Sequence, residues 1–203
     1  MNEKRWLRLM KLLGFAPSLD CFGALNAAYA EKHRQYHTGA HIDAMLRHLD
    51  DVVHLADRPV ELEVAIWFHD AIYKPFSSHN EADSANWAAA FLAGHDFLPA
   101  GVERVKDLIM ATVHEGEVAS GDQALLVDID LSILGASEEV YDQYEQHIRK
   151  EYHWVPGFIY RKKRRQLLHA FLQKRTLYHL DVFQQRFEKK ARHNLQRTIV
   201  LLS

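Results

Sequence analysis

In AIWFHDAIY, an imidazole and a carboxylate stand side by side at the end of an apolar run, as His69 and Asp70. Left unpaired inside a core, both would be costly. A divalent cation satisfies them together, because imidazole nitrogen and carboxylate oxygen are shared ligands for zinc, manganese and iron. A structural His–Asp hydrogen bond inside the core is the other solution. YHTGAHI places His37 and His41 four apart, on one face if helical. Without a Glu after His37, this is not the H-E-x-x-H zinc-protease pattern. VDIDLSILG adds Asp128 and Asp130 in an apolar segment where Leu or Ala would cost less. Residues two apart point to different faces of a helix, so at most one of this pair faces a shared site. The other caps a helix or pairs with Arg or Lys.

The elements that must position these groups read as helices. Ile42, Met45, Leu46, Leu49 and Val53 recur at three- and four-residue steps between His41 and Leu55. VELEVAIWF, 60–68, turns apolar nearly all round, as expected of a central helix enclosed by others. Ser78 and Glu81 fit an S-x-x-E capping box and predict a helix start near residue 79. Pro99 opens a helix with Val102, Val105, Leu108, Ile109 and Thr112 on one face. A short apolar segment from Ala124 ends at Gly135, a C-terminal cap by type. Ser137 caps the next helix, with its stripe of Val140, Tyr144, Ile148 and Tyr152. Two more follow, about 158–174 and 178–200, the last carrying Phe183, Phe187, Ala191, Leu195 and Ile199. Pro17, Pro59, Pro75, Pro99 and Pro156 fall between these segments, and no strand alternation competes. The reading is all-α, a helical array of about eight helices in one domain.

Composition bounds the function. The 203 residues fit one domain at about 100–200 residues each. Apolar residues at 48% and charged residues at 26% exclude disorder and fibrous repeats. A formal net charge of −2 gives no whole-molecule field for nucleic acid or an anionic membrane. The run RKKRR at 161–165 therefore reads as a solvated helix face, which weighs against nucleic acid as a partner. The lone Cys21 fits a reducing compartment, and no apolar run reaches the ~18 residues of a membrane span. The basic, amphipathic MNEKRWLRLMKLLGF lacks the features of a secretory signal. A cytoplasmic protein with no membrane partner is the expectation. Fourteen His, nine of them within the first 114 residues, again point to metal or acid–base chemistry.

His41, His69-Asp70 and Asp130, in that order on separate helices, resemble the HD-domain superfamily of metal-dependent phosphohydrolases. The resemblance extends to RQYHTGAHI, AIWFHDAIY, HNEADSA, ATVHEGE, DIDLSILG and IRKEY. These look like the successive motifs of a bacterial family of predicted metal-dependent HD-type phosphohydrolases, spanning about residues 34–152. Any one motif is weak; the ordered set is specific. It implies a single HD-type helical domain over 1–203, with 153–203 packing on the motif-bearing part. By position it implies a metal held by His41, His69, Asp70 and Asp130, with Asp130 rather than Asp128 as the last ligand. Members with two metals carry two further His, and the matching places here are Glu81 and His114. Glu81 is a departure from that pattern, and it also fits the capping box.

The implied cofactor is a divalent ion (manganese, cobalt, zinc, iron, nickel or magnesium), and the implied partner is a small phosphorylated substrate. A homo-oligomer is compatible with this reading, and Trp6, Trp67, Trp87 and Trp154 are core or subunit-contact aromatics by type. A metal-activated water would attack phosphorus while the ion polarises a phosphoryl oxygen. Asp70 is a candidate to orient that water. Arg34, Lys74 and Arg149 are candidate cations for the charge on the equatorial oxygens. His37 is a candidate proton donor or a support for the ligands. Two alternatives belong to other classes: a non-catalytic module that binds a nucleotide or metabolite, and a di-iron oxygenase that needs Glu81 and His114 as ligands.

Overall fold

The computed structural model describes residues 1–75, 77–114 and 118–203. Among these no strand occurs, and the chain divides into two compact units, Met1–Ile129 and Asp130–Ser203. The first holds α1 (Glu3–Leu13), α2 (Leu19–Tyr29), α3 (Gly39–Val52), α4 (Pro59–Phe68), α5 (Asn80–Ala93), α6 (Pro99–Ala111) and α7 (Asp122–Asp130). The division falls inside α7, whose last residue is Asp130.

Helix α4 is the centre of this unit. It packs against α1, α3, α5 and α6, and every residue from Glu61 to Phe68 is buried. Two of these are acids, each closed by an arginine. Arg104 reaches Glu61 at 2.6 and 2.7 Å, and Arg5 reaches Glu63 at 2.9 and 3.3 Å. Such forks offset the cost of taking a carboxylate out of water. Around the other end of α4, Trp6 meets Trp67 edge-on at 5.4 Å and Phe91 at 5.6 Å, in a cluster joined by Phe68.

The second unit begins with a 3-10 turn, Leu131–Gly135, followed by α8 (Glu138–Glu151) and α9 (Gly157–Gln173). It ends in α10, a continuous run from Asp181 to Leu201 whose Gln184–Glu188 stretch is π-helical. The i→i+5 bonds of a π turn widen it. Phe183 and Phe187 both stay buried across that stretch, with ring centroids 5.8 Å apart. Asn194 of α10 donates to the Leu134 and Ala136 carbonyls at 2.9 and 3.1 Å, tying the 3-10 turn to the helix. Inside the unit Arg164 meets Glu145 at 2.7 Å and the Tyr144 hydroxyl at 2.9 Å.

Among the described residues ten helices stand where about eight were expected; the additional two are α1 and α2. LDCFGALNAAY, the sequence of α2, is apolar on several sides and carries Gly23, so no single-faced period marks it. The capping box is not made. His79 occupies the N-cap of α5 with no side-chain cap bond, while the Ser77 hydroxyl accepts from the His79 N–H. Gly135 is not a left-handed cap either. It must be small because a Cβ there would lie 2.6 Å from Phe187 Cβ. Ser137 does take the N-cap position of α8, but its hydroxyl bonds the Glu139 carboxylate. In α8 the inward residue is Tyr141, and Val140 faces out; in α3 it is Val52, and Val53 faces out. No helix among the described residues is long and apolar enough to cross a membrane.

Candidate metal centre

Three helix ends set the site. His41 lies in the first turn of α3, His69 is the C-cap of α4, and Asp130 ends α7. Each offers a ligand atom, and the three atoms lie within 4.8 Å of one another. The Nε2 atoms of His41 and His69 are 3.3 Å apart. Asp70 Oδ2 is 3.1 Å from His69 Nε2 and 3.8 Å from His41 Nε2. The residues singled out in the sequence as ligands thus come together around the end of α4.

The hydrogen bonds determine which atoms are available. His69 Nδ1 is 3.0 Å from the Ile66 carbonyl, which can only accept, so Nδ1 carries a proton. Nε2 then either carries a second proton toward Asp70 or presents its lone pair to a cation; metal and proton compete for that atom. Burial alone would push the Asp70 carboxyl up. Facing His69, His37 and His41, with a hydrogen bond from His69, it is instead held well below the usual carboxylate range. It is a carboxylate at neutral pH, able to accept or to ligate.

The donor set fits a divalent ion. Two nitrogens bound at about 2.0–2.1 Å to a tetrahedral or octahedral centre lie about 2.8–3.4 Å apart, and the observed 3.3 Å falls within that range. Mixed imidazole and carboxylate donors suit zinc, manganese, iron, cobalt or nickel.

Arg34 holds the frame of the site. Its side chain is fully buried and donates to the Asp70 carbonyl at 2.6 Å, the Ala71 carbonyl at 2.9 Å and the His37 carbonyl at 3.2 Å, while Nε bonds Glu31 at 3.0 Å. A guanidinium so buried and so engaged positions the His-Asp segment. That corrects its expected role as a phosphate-facing cation. Arg149 is likewise engaged within its own unit, donating to the Tyr152 and Val155 carbonyls at 2.6 and 3.1 Å and lying 4.7 Å from the Tyr160 ring centre. It closes the C-terminal end of α8. Lys74 is exposed, with Nζ 3.7 Å from Asp83.

His37 precedes α3 and is brought to the site by ring contacts. Its ring stacks on Tyr73 at 4.4 Å and lies 6.2 Å from that of His41. Tyr73 is the participant that the sequence reading passed over, although it belongs to AIWFHDAIY. It takes His33 Nε2 at 2.8 Å on its carbonyl, and its ring lies 5.5 Å from the Arg34 guanidinium. The Ser84 hydroxyl then bonds the backbone N–H and carbonyl of Ile72, fixing the segment that leaves the site.

Asp128 is fully buried, and Asp130 is the member of the pair that joins the histidines. Among the described residues, Glu81 and His114 join no group of metal-ligating side chains. Glu81 lies in the first turn of α5, and His114 has a left-handed backbone with φ 59°. Part of the motif ATVHEGE, at 115–117, lies outside the described residues. Compared with known proteins, the chain matches no family model, no curated protein and no solved structure.

Proposed function

We propose that the chain is an HD-type, metal-dependent phosphohydrolase acting on a small phosphate ester, such as a nucleotide or related metabolite. The observation that carries the reading is the convergence of His41, His69 and Asp130 within 4.8 Å, with Asp70 against both imidazoles. The ordered motifs resembling that family support it. When bound, a divalent ion supplies a water of lowered pKa and neutralises charge on the phosphoryl group.

The chain's own residues do the remainder. His41, His69 and Asp130 supply ligand atoms from three helices, so loss of one leaves the others in place. Asp70, ionised, supplies a further ligand oxygen or orients the water. Arg34 keeps the Asp70 carbonyl fixed and so aims its carboxylate, while the Ile66 carbonyl fixes the ring of His69. Of the three candidate cations, Lys74 is the one that faces solvent, where a substrate phosphate could displace Asp83.

The experiment is phosphate release from a panel of nucleotides and sugar phosphates by chelated protein, before and after addition of manganese, cobalt, magnesium or zinc. Release that requires metal and is lost in Asp130→Ala is the expected result. Metal binding without release from any substrate would move the reading to a binding module.

A further inference from the structure

The basic run at 161–165 has no part in the metal chemistry, and neither does the aromatic cluster beside it. From Tyr152 to Leu180 the chain carries seven Lys and Arg and no Asp or Glu, against a formal net charge of −2 overall. Helix α9 distributes the run around its surface. Arg164 turns inward and is neutralised by Glu145, whereas Arg161, Lys162 and Lys163 are exposed. Among the described residues, Lys163 makes no hydrogen bond or ion pair.

On this flank of α9, Ile148, Tyr152, Trp154, Tyr160, Lys163 and Leu167 line a cavity of about 290 Å³. That is near the lower end of the about 300–1,000 Å³ typical of small-molecule sites, which are apolar and aromatic with a few placed polar groups. The ring centroid of Tyr152 is 6.0 Å from that of Trp154 and 6.5 Å from that of Tyr160. Trp154 and Leu167 keep 41% and 45% of their surface exposed, large apolar groups left in water at the cavity. The Tyr160 hydroxyl is buried without a hydrogen bond among the described residues, a cost that an entering acceptor would relieve. Glu145 is closed by Arg164, and Glu151, next to Tyr152 in sequence, is buried; the charged side chains that line the cavity itself, Lys163 and Arg164, are both cationic, which favours a negative ligand.

We infer that this cavity binds a small planar aromatic anion of the aromatic-carboxylate class, its ring among Tyr152, Trp154 and Tyr160 and its charge against Lys163. The site lies within the second unit and does not depend on the phosphohydrolase reading.

Calorimetric titration of the full chain with 1-naphthoate, after chelation and again in Asp130→Ala, keeps the metal centre out of the result. One naphthoate should bind per chain in both. The neutral 1-naphthalenemethanol should bind about two- to fivefold more weakly, the scale of one exposed charge. Lys163→Gln, at an exposed position, should weaken naphthoate by the same factor and remove the difference between the two ligands. Leu167→Trp, which fills the cavity, should abolish binding with an unchanged melting temperature. Absence of binding at millimolar naphthoate overturns the inference, as does full affinity in Leu167→Trp.

Discussion

At Glu61, Glu63 and Glu145 a buried or nearly buried carboxylate meets an arginine fork, whereas at the end of α4 the carboxylate of Asp70 meets two imidazoles. The forks are complete as they stand: each acid has a fixed cation and directed hydrogen bonds. Around His69 the arginine present, Arg34, spends its donors on backbone oxygens and on Glu31, and leaves the Asp70 carboxylate to the histidines. One arrangement closes its charges with protein alone and holds helices together. The other gathers lone-pair donors from three helices toward one point, which is what a cation requires. Burial of a charged group therefore does not by itself mark a site; what faces it does.

Breaking a fork should cost stability, and breaking the donor cluster should cost metal. Arg164→Met leaves Glu145 without its cation, and a drop of about 3–5 kcal/mol is expected in denaturant unfolding. Replacing Glu145 as well, by Leu, should recover most of that loss. Asp130→Ala removes a ligand atom from a partly exposed position. It should lower metal affinity by at least about 100-fold, or about 2.7 kcal/mol, measured by competition with a chelating dye. Gly135→Ala drives a methyl against Phe187, at a place where neither metal nor fork is involved; about 2 kcal/mol lost in thermal unfolding is expected. Arg34→Lys keeps the charge but loses the planar fork, so metal affinity should fall about tenfold while the protein remains folded. An unaltered affinity in Arg34→Lys would reduce that residue to a structural strut.

His69, Asp70, Asp128 and Asp130 were legible in the sequence as polar residues in apolar contexts, with His69 and Asp70 at a helix end; the choice of His41 over His37 and of Asp130 over Asp128 came from the resemblance of the ordered motifs. Their supports were less legible. Arg34 resembles any surface cation in RQYH, and only the fold turns its guanidinium onto the carbonyls of Asp70 and Ala71. Tyr73 and Ser84 act on rings and backbone brought from elsewhere in the chain, which local patterning does not encode. Helix α2 escaped because its apolar residues do not keep to one face. The capping box at Ser78 and Glu81 failed for a related reason: Ser77 bonds His79, and Asn80 bonds both backbone groups of Lys74, so local bonding settles the start of α5 differently. In the stripe drawn along α8, Ile148 is buried but Val140 is exposed and Tyr141 is buried instead: one residue turns a helix by about 100°, enough to carry a side chain off the inner face.

The most direct test of the metal centre is a calorimetric titration of chelated protein with manganese and with zinc, repeated on a His41→Ala, His69→Ala double variant. The account predicts one tightly bound ion per wild-type chain and none in the double variant at the same concentrations. No binding to the wild type, or equal binding to the variant, would contradict it.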